Sequence, residues 1–161
     1  MRLTKSRIAG SIVVTALILG VSWTASAQSD PAVGTWKLNV GRSKYVPGPA
    51  PQSNMITITA AGNGIHVVAK GEDATGKPTS IDYTATYDGK DSPVKGAPAY
   101  DTVSLKRIDA NNTEQVRKKE GKMVQTVTRK ISPDGKTMTV TTRGKDENGR
   151  TLNTVAVYDK Q

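Results

Sequence analysis

NMITITAAGNGIHVVAK, residues 54–70, holds the pattern that recurs through most of this chain. Ile56 and Ile58 alternate with Thr57 and Thr59, and beyond Gly62-Asn63-Gly64 the alternation resumes in Ile65, Val67 and Ala69. A side-chain period of two is that of a β-strand with one buried face. Gly and Asn in the intervening turn tolerate the positive φ that a tight hairpin demands. The segment reads as two antiparallel strands joined by a hairpin.

The same pattern extends in both directions. β-prone runs stand near 33–40, 79–87, 101–108, 112–118, 122–131, 136–144 and 151–159. They are separated by Asp73 to Pro78, Asp88-Gly89, Asn111-Asn112, Gly121, Pro133-Asp134-Gly135 and Asn148-Gly149. Ile81, Tyr83, Ala85 and Tyr87 fall on period two, as do Val103 with Leu105 and Met138 with Val140. Gly41 to Gln52 carries Pro47, Pro49 and Pro51 without an apolar period and reads as a loop. No segment sustains a 3.6-residue apolar period, and turn signals every 8 to 12 residues or so are those of a sandwich or barrel. The expectation is a single all-β domain, an antiparallel up-and-down meander of about nine strands. Closing it as a barrel removes the two exposed edges that an open meander would leave.

Ahead of this domain, Arg2, Lys5 and Arg7 precede an apolar run from Ile8 to Val21, and Ala25-Ser26-Ala27 offers the small residues of a cleavage site. This three-part pattern is that of a secretory signal peptide, residues 1–27, cut before Gln28. Gly10, Ser11, Thr15 and Gly20 interrupt the apolar run, which falls short of the roughly 20 residues that span a bilayer. The domain of residues 28–161 is therefore expected to be periplasmic or secreted, with no membrane span after cleavage. Cysteine is absent, so neither a lipid attached at the cut nor a disulfide is available.

Composition then limits what the domain can do. It has no Phe, Trp36 as its one tryptophan after cleavage, and only Leu38, Leu105 and Leu152 as leucines, so Val and Ile must fill the interior. The net charge of +9 falls to +6 once Arg2, Lys5 and Arg7 are removed. That balance favours anionic neighbours such as lipid head groups or acidic glycans. A nucleic-acid partner is not expected, because the basic residues lack an aromatic platform or a recognition helix.

Few residues offer chemistry. His66 is the only histidine, and no nucleophile-elbow, zinc or phosphate-loop motif is present, so no catalytic, cofactor or metal site is expected. Asp88, Asp91 and Asp101 are the densest carboxylates, and turn formation accounts for them. The informative anomaly is a polar set in phase with the core. Arg107 follows Val103 and Leu105; Gln125 and Arg129 share the phase of Met123, Val127 and Ile131; Tyr83 lies between Ile81 and Ala85. A buried guanidinium must find an anion or several acceptors. A ligand carboxylate or phosphate would serve, which makes Tyr83, Arg107, Gln125 and Arg129 the expected ligand-binding residues. The alternative is that these side chains lie at barrel ends and reach water along extended stems. Lys106 and Lys130, with Arg117 or Lys118 and Lys119, would form a basic strip outside.

Val33-Gly34-Thr35-Trp36-Lys37-Leu38 resembles the opening strand of lipocalin-like and fatty-acid-binding-like barrels, where a Gly-x-Trp sequence closes one end. The chain also resembles short exported bacterial proteins that open on Gly-Thr-Trp-Lys-Leu-Asn and share stretches like Asp101 to Asp109. The resemblance implies a barrel closed by Gly34 and Trp36, with an arginine of a late strand packed across the indole; by order that arginine is Arg143. It does not carry over the fatty-acid site, because Ala156 stands where the last-strand arginine would fall. Together these readings imply an exported, non-enzymatic, lipocalin-like binding protein for a small apolar or anionic amphiphilic ligand. The alternative is a filled barrel whose basic surface contacts anionic lipid or polysaccharide. N-terminal sequencing of the exported protein is expected to begin at Gln28; a chain starting at Met1 would refute the cleavage.

Overall fold

A computed structural model describes residues 29–161; the expected signal peptide lies outside the described residues. The strands are β1 (Gly34–Leu38), β2 (Ser53–Ala61), β3 (Gly64–Glu72), β4 (Pro78–Thr86), β5 (Ser92–Pro93), β6 (Thr102–Arg107), β7 (Asn112–Lys119), β8 (Lys122–Ile131), β9 (Thr137–Lys145) and β10 (Thr151–Lys160). All pair antiparallel in one sheet, ordered β4-β3-β2-β1-β10-β9-β8-β7-β6-β5. This is the expected meander with one addition, the two-residue β5, formed inside the loop that follows Asp91.

Closure comes from β1, which pairs with β2 on one edge and with β10 on the other. The remaining seam, between β4 and β5–β6, is only stitched. Asp82 and Lys95 exchange backbone hydrogen bonds of 3.0 and 2.9 Å, and Gly89 N–H donates to the Leu105 carbonyl at 2.9 Å. The barrel is therefore nearly closed. The Pro-rich loop contributes too: after a 3-10 turn (Val40–Arg42), Lys44 exchanges two 2.8 Å bonds with Val155, and Val46 accepts from Asn153. The chain thus continues the line of β1 along β10, and Tyr45 packs against the core. No helix among the described residues is long and apolar enough to cross a membrane.

One end of the barrel, the floor, is sealed by the residues just before β1. Trp36 is fully buried, and its indole N–H donates to the Ala32 carbonyl at 2.9 Å. The Lys160 ammonium lies 5.0 Å from the indole centroid. Its stem crosses so close to Gly34 (φ +144°) that a Cβ there would stand 2.7 Å from Lys160 Cε. Gly34 and Trp36 stand at this floor, and the basic residue over the indole is Lys160. Arg143 is a correction: inward residues of β9 follow Met138, Val140, Thr142 and Gly144, so Arg143 has the opposite parity and is exposed.

Arg107 is a second correction. It ends β6 at the floor, where the guanidinium stacks 4.0 Å above the Tyr87 ring and pairs with Asp30. Asp30 also accepts from the Tyr87 hydroxyl at 2.6 Å and from Ala32 N–H at 2.9 Å, which anchors the segment leading into Trp36. Arg107 is thus satisfied at a barrel end, far from the ligand-binding role expected of it. Met123, read as inward, is 65% exposed because β8 begins beyond the rim. Trp36, Ile58, Ile65, Val67, Ile131 and Met138 fill the lower barrel, Leu105 and Val103 continue the core up β6 to the level of Arg117, and every strand of the barrel lies within residues 34–160.

Two stability predictions follow from the floor and the tyrosines. Trp36→Ala removes the largest core side chain and is expected to cost about 3–5 kcal/mol in urea unfolding; a loss under about 1 kcal/mol would show that the floor is dispensable. Burial raises Tyr45 to about 12, and burial, then the hydrogen bond to Asp30, does the same for Tyr87. Both hold their proton more tightly folded than unfolded, so their contribution is complete below pH 10, the ordinary value, and falls away as pH rises toward 12. Phenolate absorbance and unfolding measured together should show this loss; full stability above pH 12 would contradict it.

Candidate functional site: two arginines on the inner face of the barrel

β7 and β8 carry the polar part of the interior. Their register pairs Thr113 with Arg129, Gln115 with Val127 and Arg117 with Gln125, and a bulge between Arg117 and Lys118 shifts the ladder at the upper end. Thr113, Gln115, Gln125 and Arg129 are all buried, Arg129 to 8% exposure. A β-bulge redirects the strand beside it. Here Arg117 remains on the inner face while Lys118 turns to Asp91, at 2.8 Å.

The two arginines are held but not neutralised. Arg117 Nη1 donates to Gln125 Oε1 at 3.0 Å, and its guanidinium covers the Tyr100 ring at 4.5 Å. Gln125 is oriented in turn by donating from Nε2 to the Lys145 carbonyl at 2.7 Å. Arg129 Nη2 and Gln115 Nε2 both point at the Tyr83 hydroxyl, at 3.5 and 3.4 Å, long for such bonds. Arg117 Nε, Arg129 Nε and Arg129 Nη1 are buried with no hydrogen-bond partner.

No negative charge in the vicinity answers them. The ion pairs among the described residues use Arg42, His66, Lys90, Arg107, Lys118 and Arg150, and none involves Arg117 or Arg129. Asp91 is taken by Lys118, and Asp101 accepts from Glu120 N–H at 2.9 Å. The tyrosines cannot substitute. Burial raises Tyr100 and Tyr158 as it raises Tyr45, so these phenols stay neutral and can donate to an anion but cannot act as one. A buried ion without a partner costs several kcal/mol even after relaxation, and each unsatisfied buried donor about 1–3 kcal/mol. Unpartnered guanidinium N–H groups of this kind are matched by a carboxylate or phosphate oxygen.

The upper end of the barrel carries a groove of about 700 Å³, lined by none of these interior polar residues. It lies between the β3–β4 turn, the Gly96–Pro98 segment and the β9–β10 turn, with Asp73, Lys77, Ser80, Pro98 and Glu147 on its walls.

Three of the four expected binding residues, Tyr83, Gln125 and Arg129, share this interior, while Arg107 is at the floor. Arg117, Gln115 and Tyr100 escape the sequence reading. In Asn112–Lys119 the lone aliphatic residue, Val116, has the outward phase, so hydrophobic parity gives no hint that Thr113, Gln115 and Arg117 face in. The basic strip correspondingly loses Arg117. The remaining polar candidates have ordinary roles: exposed His66 Nε2 lies 3.0 Å from Asp82 Oδ1, and Asp88 Oδ1 accepts from Thr86 Oγ1 at 2.7 Å and Lys90 N–H at 3.0 Å. The Thr86 bond, then that from Lys90 N–H, holds the Asp88 carboxyl below its ordinary value.

No family model and no curated protein matches the chain. Because the Arg129 charge is unpaired, Arg129→Met, close in volume and apolar, is expected to leave the ligand-free barrel as stable or up to about 2 kcal/mol more stable. A loss above about 2 kcal/mol in denaturant unfolding would mean that Arg129 is a structural partner already satisfied in the empty barrel.

Proposed function

We propose that the chain is an exported, non-enzymatic, lipocalin-like binding protein that holds a small anionic amphiphile inside its barrel. The carboxylate or phosphate rests on Arg117 and Arg129, Gln115 and the Tyr83 hydroxyl complete the polar contacts, and the apolar part lies toward the aliphatic lower barrel. The single observation that carries this reading is the three unpartnered guanidinium nitrogens, two of them on a side chain that is 8% exposed. The sealed floor and the grooved upper end support entry from above. The signal-like leader, with its Ala25-Ser26-Ala27 site, supports action outside the cytoplasm.

The test compares heads on one tail. Dodecanoate, dodecyl phosphate, dodecanol and dodecyltrimethylammonium are titrated into the protein beginning at Gln28, with thermal unfolding and Trp36 emission as readouts. A ligand at a hundredfold excess over its Kd stabilises the folded state by about 2.7 kcal/mol. The two anions are expected to stabilise the barrel, the alcohol weakly and the cation not at all, and Arg129→Met is expected to abolish the advantage of the anions. Equal effects of dodecanol and dodecanoate would defeat the reading.

A further inference from the structure

We infer that the tip of the β7–β8 hairpin docks the upper end of the barrel on an anionic lipid bilayer. The tip is Lys118-Lys119-Glu120-Gly121-Lys122-Met123. Met123 is the most exposed large hydrophobic residue of the described barrel, at 65%. Lys119 and Lys122 are directly paired across the turn. Arg143 shares with Met123 a shallow surface depression of about 160 Å³, and Lys145 follows two residues later on β9. All four cations are exposed, and none has an ion-pair partner among the described residues. Nearby Lys118 and Arg150, by contrast, are paired with Asp91 and Asp146. At the tip itself the carboxylates are Glu120, Asp91, which is taken by Lys118, and Asp101, which holds Glu120 N–H, and Glu147 is exposed on the neighbouring turn, so the four unpaired cations outnumber the unpaired carboxylates beside them.

The tip is also preformed. Glu120 (φ 50°) and Gly121 (φ 74°) make the tight turn, and Glu120 N–H is held by the Asp101 carboxylate at 2.9 Å. A methionine displayed on a rigid turn between unpaired lysines contributes nothing to this core, yet it matches a surface with an anionic outer layer and an apolar interior. Lysine near an anionic leaflet contributes about fivefold in partitioning per residue. Burying the thioether chain adds an apolar increment that an acidic polysaccharide would not supply. The docked rim is the end nearer Arg117 and Gln125, but the contact uses none of the interior residues and stands whether or not the barrel holds a ligand.

The protein beginning at Gln28 is sedimented with vesicles of phosphatidylcholine alone or mixed with phosphatidylglycerol. Binding is expected only to the anionic vesicles and is lost at high salt, where the Debye length shortens. Lys119→Gln with Lys122→Gln should lower the partition coefficient about 25-fold, and Met123→Ser about tenfold, with unchanged thermal unfolding because all three positions are exposed. Arg129→Met should bind vesicles like the parent, which separates this result from failure of the interior site. Equal binding to both vesicle types, or rim variants that bind like the parent, would overturn the inference. So would charge-dependent binding that Met123→Ser leaves intact and that an acidic polysaccharide reproduces.

Discussion

Pairing of Trp36 with Lys160 and of Leu38 with Tyr158 joins the first strand to the last, and the rest of the molecule depends on that junction. With it, a meander that would otherwise have two long edges becomes a barrel with one stitched seam. A closed sheet has an inside, and parity along each strand then leaves no choice about which side chains occupy it. The junction thereby seats Trp36 over the floor, holds Lys160 across Gly34, and turns one face of β7 and β8 inward whatever that face carries.

What that face carries is two arginines and two glutamines in a domain short of large apolar residues. Interior polar groups are tolerable when every partner is present and costly when one is missing. Gln125 and Tyr83 satisfy part of each guanidinium, and the raised tyrosines supply neutral hydroxyls rather than charge. The unliganded barrel therefore holds an electrostatic deficit at one defined place. A group of opposite charge that entered there would add to stability as well as occupy space, so binding and folding are linked at the same atoms.

The fold was legible because each hairpin carries its own evidence: alternation in Ile56–Ile58 and Ile65–Ala69, with Gly-rich turns between. Gly34 and Trp36 were legible from their place before the meander. The site was legible only where a polar residue shared a visible apolar phase, as Gln125 does ahead of Val127 and Arg129 does between Val127 and Ile131. On β7 the phase is carried by Thr113, Gln115 and Arg117, and Val116 points the other way, so periodicity could not reveal the second arginine. Arg107 shows the converse. Its phase was right, but phase does not say how far along a barrel a residue lies, and at the floor Asp30 and Tyr87 meet it. Arg143 failed because order along the chain does not determine parity.

The two ends of the barrel differ: Asp30, Ala32 and Trp36 clamp the floor, while unpaired cations gather at the upper end. The proposed role of Arg117 and Arg129 as an oxyanion site can be tested at those atoms. The most direct measurement is the anomalous difference density of a crystal soaked in selenate. A peak is expected inside the barrel within hydrogen-bond distance of Arg129 Nε and Nη1 or of Arg117 Nε, the unpartnered nitrogens. Contradiction would be an interior without such a peak, with those nitrogens bonded to a carboxylate of the protein.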